Sequence, residues 1–567
     1  MYKQGLRHHV IPLIILSSAL IKWCIGLGSY SGRGTAPMFG DYEAQRHWME
    51  LTIHLPTNKW YTYDLQYWGL DYPPLTAYVS WLCGIMGSWI DSSWLALDAS
   101  RGIETQGSKN FMRSTVLLWD ALTYTPAVLY FVKIWLRNRS PKTQHVATMV
   151  LLLQPALLLV DFGHFQYNSV MLGFTLLAMS FFAAGRDLWG AVFFVLSLGF
   201  KQMALYYAPA IGSYLIAKCL SLGPHNGPKL FIRLGLVTTA SFAVIFLPFL
   251  PPLSPFPAIL QPIHRIFPFQ RGLFEDKVAN FWCASNVVLK WRIWMQQDTL
   301  IKLSALFTVA GFLPGIGGMI YSGYKLRATY PAPVLPLLPY ALLTSSMSFF
   351  LFSFQVHEKT ILVPLLPLTL LLSGAASSSF TFQLGALVNN VALFSMWPLL
   401  QRDGLALQYI AAMLLWNRLI GYNPFKLRQK SLMEYFSVTI LSLCTMLHVL
   451  EIMVPPSPRL PDIYPVLNVL LSTPVFGITW LWSIKRSIEV SWGLGVLGLH
   501  TKPQEAIQSE AGSIISVEDD RSLVGGNSSG VGLVHSASRS LSLRTRSLGY
   551  GAEKRPSLRS GSFSGET

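Results

Sequence analysis

The chain has 567 residues, 52% of them hydrophobic and only 12% charged, with a formal net charge of +16. Soluble domains carry about 25% charged residues, so an ordinary soluble enzyme is excluded. The basic residues are spread through short loops between apolar segments, a positive-inside pattern and not a nucleic-acid-binding surface.

Apolar runs of about 18 residues or more, each able to cross a hydrocarbon core, recur through most of the chain. Runs such as VTTASFAVIFLPFL lack the period of two that a membrane barrel needs. The expected fold is all-α, a polytopic membrane protein. The first apolar segment, about residues 10–28, follows the basic start MYKQGLRHH. No small-x-small cleavage site follows it, so it reads as a retained signal anchor. Further segments centre near Leu122, Leu152, Leu176, Val195, Ile211, Ala240, Val309, Leu343, Leu365, Val388, Met413, Leu443 and Phe476. The total is about 14 spans, with 11 to 14 allowed because Gly and Pro interrupt several of them. With the amino terminus in the cytosol, that terminus and the short cytosolic loops together hold about 17 Lys and Arg against about four opposite. An even count returns the carboxyl terminus to the cytosol.

Two non-cytosolic loops are long, at residues 29–112 and 251–298. In the first, Asp41–Ile53 mixes charges with Tyr42, Trp48 and Met49, and DYPPLTAYVSWLCGIMG supplies a second helix with Pro73 and Pro74 in its first turn. Both are too short or too charged to span, and they read as a lid of helices lying along the membrane surface. The second loop, HRIFPFQRGLFEDKVANFW, brings Arg265, Arg271 and Lys277 among acids and aromatics. Residues 1–500 form the membrane domain; residues 501–567, rich in Ser, Gly and Arg, read as a disordered cytosolic tail. The five cysteines form no CxxC pair, and a bridge between Cys83 and Cys283 stays open.

The charge at the start of the first long loop raises two readings of Asp41: a helix N-cap, or a functional carboxylate. Asp71 opens the neighbouring lid helix, while His357, Glu358 and Lys359 (VHEK) stand at the non-cytosolic end of a span. With the cations of the second loop, these residues place acids and bases beside an apolar wall, as a site for an anionic lipid-linked substrate requires. VHEK has its own alternative, interfacial snorkelling and local ion pairing. For Arg271 and Lys277 of the second loop a solvated loop face is the favoured reading.

GDYEAQRHWMELTIHLPTNKWYTYDLQYWGLDYPPLTAYVSWLCG resembles the first luminal loop of the endoplasmic-reticulum glucosyltransferases of asparagine-linked glycosylation. These are polytopic enzymes of GT-C type that use dolichyl-phosphate glucose. DFGHFQYNSVMLG, FKQMALYYAP, RGLFEDKVANFWC and FQVHEKTILVPLLP extend the likeness over about residues 10–488. Within that group, QYWGLDYPPLTAY is closer to the member that adds the first glucose to the nine-mannose oligosaccharide on dolichyl pyrophosphate. The sibling that adds the second glucose tends to read DF at positions 41–42 and DYPPFFA where this chain has DYPPLTA.

The resemblance implies an inverting α-1,3-glucosyl transfer on the luminal side of the endoplasmic-reticulum membrane, with Asp41 of the GDYE motif as the general base. Such a reaction needs fixed positive charge for the departing lipid phosphate, for which His357 and Lys359, with Arg265 and Arg271, are the candidates. His164 and Gln166 either line the sugar pocket or cap polar ends, and Glu43, Asp71 and Tyr72 bind substrate or orient the lid. The expected partners are the two lipid-linked substrates and the bilayer. No cofactor or metal is expected, because the donor carries a single phosphate, neither long loop holds a DxD triplet, and His/Cys ligand spacing is absent. A polytopic lipid or sugar transporter is the reading from another class; it predicts paired, similar halves, and no internal repeat is visible.

Overall fold

The computed structural model describes residues 6–266, 277–326, 334–354, 356–425 and 431–496. Among these residues every regular element is helical, and every apolar centre expected from the sequence lies within a helix. Seven helices are long and apolar enough to cross a membrane: Gln106–Trp135, Pro141–Phe165, Gly223–Phe249, Gln297–Lys325, Leu335–Phe352, Leu432–Met453 and Ile463–Gly493. Four shorter apolar helices, Val10–Gly26, Asn168–Ala183, Asp187–Phe200 and Phe380–Ser395, accompany them. The protein is thus an all-helical, multi-pass membrane protein.

The helices divide into an inner and an outer set. Pro141–Phe165 is 89% buried over its most apolar stretch, whereas Gly223–Phe249 is only 11% buried and Leu432–Met453 17%. The outer helices present Phe231, Leu236, Val244 and Met446 outward, an apolar surface suited to the hydrocarbon of a bilayer. Helix starts follow local chemistry: Ser140 accepts a hydrogen bond from the Thr143 N–H at 3.2 Å ahead of Pro141 in the first turn.

The helix that carries Asp41, Gly40–His54, enters through two left-handed residues, Phe39 (φ 56°) and Gly40 (φ 70°). Glycine is required at the second. Its φ is unfavourable for L side chains, and a Cβ there would lie 2.7 Å from Ser31 Oγ and 2.9 Å from the Gly32 Cα. Further on, Gly84 lets Pro74–Ile90 press against this helix; a Cβ on it would sit 2.6 Å from Ile53 Cγ2.

The sequence reads Asp41–Ile53 as a lid helix that mixes charges with aromatics, and the charges past Asp41 are buried: Tyr42 through Thr52 are all covered. The reason is mutual neutralisation. Arg46 donates from Nε to Glu43 Oε2 at 2.7 Å, and its NH1 pairs with Glu50 Oε2 at 2.6 Å and reaches Ser100 Oγ at 2.6 Å. Glu50 Oε1 accepts the Asp98 N–H at 2.8 Å. Burial pushes the Glu50 carboxyl up, but its contacts with His47 and Arg46 outweigh that and hold it at about 2. The charges of this stretch therefore clamp the helix to the 92–100 loop.

Cys83 and Cys283 are not bridged; all five cysteines are free thiols. Buried Cys83 instead accepts the Trp119 indole N–H at 3.2 Å. The boundary at residue 500, the tail and Arg271 lie outside the described residues.

Candidate active site

The amino end of the Gly40–His54 helix opens into a cavity of about 1020 Å³. Its polar end holds Asp41, His164, Gln166, Lys201, Lys359 and Asp403; an apolar wall of Ile301, Ala305, Val309, Phe312 and Phe349 extends from it. Asp41 does not cap its helix. Ser31 does that work, its Oγ accepting the Asp41 N–H at 3.2 Å, and the Asp41 carboxylate turns to three residues distant in sequence. Lys359 Nζ and Gln166 Nε2 both donate to its Oδ2, and His164 Nε2 lies 3.1 Å from the same oxygen. All of these contacts are to Oδ2, and the side chain keeps 25% of its surface exposed. Oδ1 is thereby left available to the cavity.

Burial raises the Asp41 carboxyl, but the Lys359 ammonium and the His164 contact outweigh it and hold the group well below the usual carboxylate range. It stays ionised, as a proton acceptor must.

His164 and Gln166 reach the same carboxylate because the chain leaves its helix between them. Residues at i and i+2 of a helix point apart. Here a wide π-helical stretch, Leu158–Phe165, ends with Phe165 at φ 92°, and Gln166 is extended (φ −152°, ψ 175°). Such backbone outliers and π-turns concentrate at functional sites. Asp161 fastens the turn by accepting the N–H groups of Asn168 at 3.0 Å and Ser169 at 2.6 Å.

Two buried charges that sequence reasoning did not single out complete the site. Lys201 Nζ donates to Gln166 Oε1 at 2.9 Å and Asn168 Oδ1 at 2.7 Å, and sits 4.8 Å from the centre of the Tyr72 ring. Asp403 Oδ2 lies 2.5 Å from His164 Nδ1. Their only signals were the short loops FKQ and LLQRDG, which carry no spacing rule.

The other expected residues divide. Asp71, Tyr72 and His357 line the cavity with Asp41, and the Tyr72 hydroxyl reaches Gln166 Oε1 at 3.4 Å. Glu43 does not face the cavity; both its oxygens are taken, by Arg46 and by the Tyr67 hydroxyl at 2.9 Å. Of its two expected roles, bonding a sugar hydroxyl in this cavity is the one these contacts do not fit. Arg265 is not placed to meet an anion in the cavity: its guanidinium donates to the Leu70 carbonyl at 3.2 Å and the Gly69 carbonyl at 3.1 Å, pinning the WGLD turn. Lys277 pairs with Asp462. Lys359 is anchored on Asp41 and does not reach outward to water as a snorkelling side chain would. Among the described residues no group of three or more His, Cys, Asp or Glu side chains is placed to hold a metal.

A carboxylate with one oxygen saturated and the other open, beside cations and an apolar wall, suits group transfer from a lipid-linked donor. The sequence pattern of the ALG6, ALG8 glycosyltransferase family matches residues 18–482. This chain belongs to that family. Its relatives include the dolichyl pyrophosphate Man9GlcNAc2 alpha-1,3-glucosyltransferase of Saccharomyces cerevisiae, 47% identical over 505 residues, 83% of this chain and 90% of the relative. A probable dolichyl pyrophosphate Man9GlcNAc2 alpha-1,3-glucosyltransferase of Schizosaccharomyces pombe is 42% identical, over 85% of this chain and 92% of the relative. The Gallus gallus enzyme of that name is 39% identical, over 84% and 98%. Membership of the ALG6, ALG8 family makes the chain a glycosyltransferase and sets the transporter reading aside.

Proposed function

We propose that this glycosyltransferase moves glucose from dolichyl-phosphate glucose to the nine-mannose oligosaccharide on dolichyl pyrophosphate, forming its first α-1,3-glucose linkage with inversion. The acceptor is the one named for its relatives. The reading of the site rests on one observation: Asp41 has Oδ2 held by Lys359, Gln166 and His164 while Oδ1 is left to the cavity.

In the proposed step the mannose hydroxyl oxygen attacks C1 of glucose from the face opposite the phosphate. The C1–O bond to phosphate breaks, its electron pair leaves with dolichyl phosphate, and the hydroxyl proton passes to Asp41 Oδ1. A single displacement converts a β-linked donor to an α product with no covalent enzyme intermediate. A base of low proton affinity serves because transfer of the proton can lag behind bond formation. The departing anion needs preorganised positive charge, for which Lys359 is the cavity's candidate, with His357 beside it as a hydrogen-bond partner. The wall of Ile301, Val309, Phe312 and Phe349 accommodates isoprenoid chain. Metal is not required in this scheme, since one phosphate is neutralised by side chains; activity undiminished by a chelator is the expected outcome.

The proposed setting is the endoplasmic-reticulum membrane, with about 14 crossings, the cavity luminal and both termini cytosolic, supported by the asymmetry of Lys and Arg in the short loops. The deciding experiment supplies purified protein with dolichyl-phosphate glucose and acceptors carrying no glucose or one. Transfer to the glucose-free acceptor alone is expected. Preference for the monoglucosylated acceptor would assign the sibling reaction, and no transfer to either would overturn the proposal.

A further inference from the structure

His164 sits between two carboxylates and an ammonium, and its orientation follows from those neighbours. Its Nε2 lies 3.1 Å from both Lys359 Nζ and Asp41 Oδ2. On the opposite edge Nδ1 lies 2.5 Å from Asp403 Oδ2; a carboxylate only accepts, so Nδ1 carries the proton of that bond. Asp403 is itself fixed. It is 4% exposed, its N–H donates to the Leu399 carbonyl at 3.2 Å, and the chain turns away at left-handed Gly404 (φ 72°). Other charges stand near: Arg113 donates to the Gly163 carbonyl at 2.7 Å, and Lys201 acts on Gln166. Neither contacts the imidazole, so Asp403 is the partner that holds the Nδ1 edge of the ring.

We propose that Asp403 is a positioning residue for glucosyl transfer: by accepting the Nδ1 proton of His164, it fixes the ring so that Nε2 stays against the Lys359–Asp41 Oδ2 pair. Oδ1 is then the oxygen that meets the acceptor hydroxyl. Asp403 acts on the Asp41–Lys359 pair through His164. The inference rests on the reading of Asp41 as the general base and adds the element that aims it.

The experiment is a double-mutant cycle in the full-length protein, with Asp403→Asn, His164→Gln and both together, read as kcat and KM with both lipid-linked substrates. A side-chain amide presents its NH₂ to Nδ1 as readily as its oxygen. The Nδ1 proton then loses its carboxylate acceptor and the ring its fixed orientation. Asp403→Asn is expected to lower kcat about 10–100-fold, the usual cost of losing an orienting partner, with KM for both substrates unchanged within about twofold. The double variant should be no slower than His164→Gln alone. Multiplied losses, or a wild-type kcat in Asp403→Asn, would overturn the proposal. If Asp403→Asn does not fold, Asp403→Glu replaces it in the cycle, and failure of both beside a folded His164→Gln would assign Asp403 to folding and end the proposal. Wild-type protein that transfers no glucose, or an active Asp41→Asn, would instead overturn the functional reading, so the two failures are told apart.

Discussion

The Gly40–His54 helix carries charge at two places, and the two clusters do opposite things. In its middle, Arg46, Glu43 and Glu50 are at most 1% exposed, and Arg46 bonds both carboxylates. At its amino end Asp41 keeps 25% of its side chain exposed, takes its partners from positions 164, 166 and 359, and holds one oxygen in reserve. A charge satisfied from all sides holds structure; a charge satisfied on one side and open on the other is available for chemistry. Residue type and local sequence do not distinguish them, since both clusters fall within one run of eleven residues, 40–50.

The comparison can be broken from the structural side first. Arg46→Ala leaves Glu43 and Glu50 buried without their cation, which costs about 3–5 kcal/mol. Thermal unfolding in detergent should show a large loss of stability, while turnover per folded molecule stays near wild type. A stable variant with impaired turnover would move this cluster into the chemistry. Lys359→Ala sharpens the other side. The Asp41 carboxyl is held low, so it remains ionised as pH falls and should impose no acid limb on kcat/KM above pH about 4. Without the ammonium, burial pushes its pKa up with less opposition, and an acid limb should move upward into the measurable range. An unmoved pH profile would detach Lys359 from Asp41 in function. The smallest effect is expected for Tyr67→Phe, which removes one hydrogen bond to Glu43. It should cost about 1–2 kcal/mol of stability and leave the acid limb where it is.

Much of this was legible in the chain, but unevenly. Apolar segment length located the helices, because a membrane leaves the backbone little else to form. The GDYE, DFGHFQYN and VHEK motifs named Asp41, His164, Gln166 and Lys359, and the structure brings these four into contact across 318 residues. Which way a charged side chain turns was not legible. Glu43 and Arg265 look as available as Asp41 in the sequence, yet Arg46 and the carbonyls of the 69–70 turn absorb them. Lys201 and Asp403 were missed because burial of an isolated charge depends on the surrounding bundle and leaves no local pattern. Nor does any glycine or asparagine announce the left-handed Phe165 that lets His164 and Gln166 converge.

The most direct measurement is single-turnover glucose transfer by Asp41→Asn, taken with its unfolding temperature and its affinity for dolichyl-phosphate glucose. The account predicts a rate lowered by about 10²–10⁴-fold, the range a general base contributes, in a protein that unfolds and binds donor like wild type. A rate within about tenfold of wild type, short of that range, would contradict it.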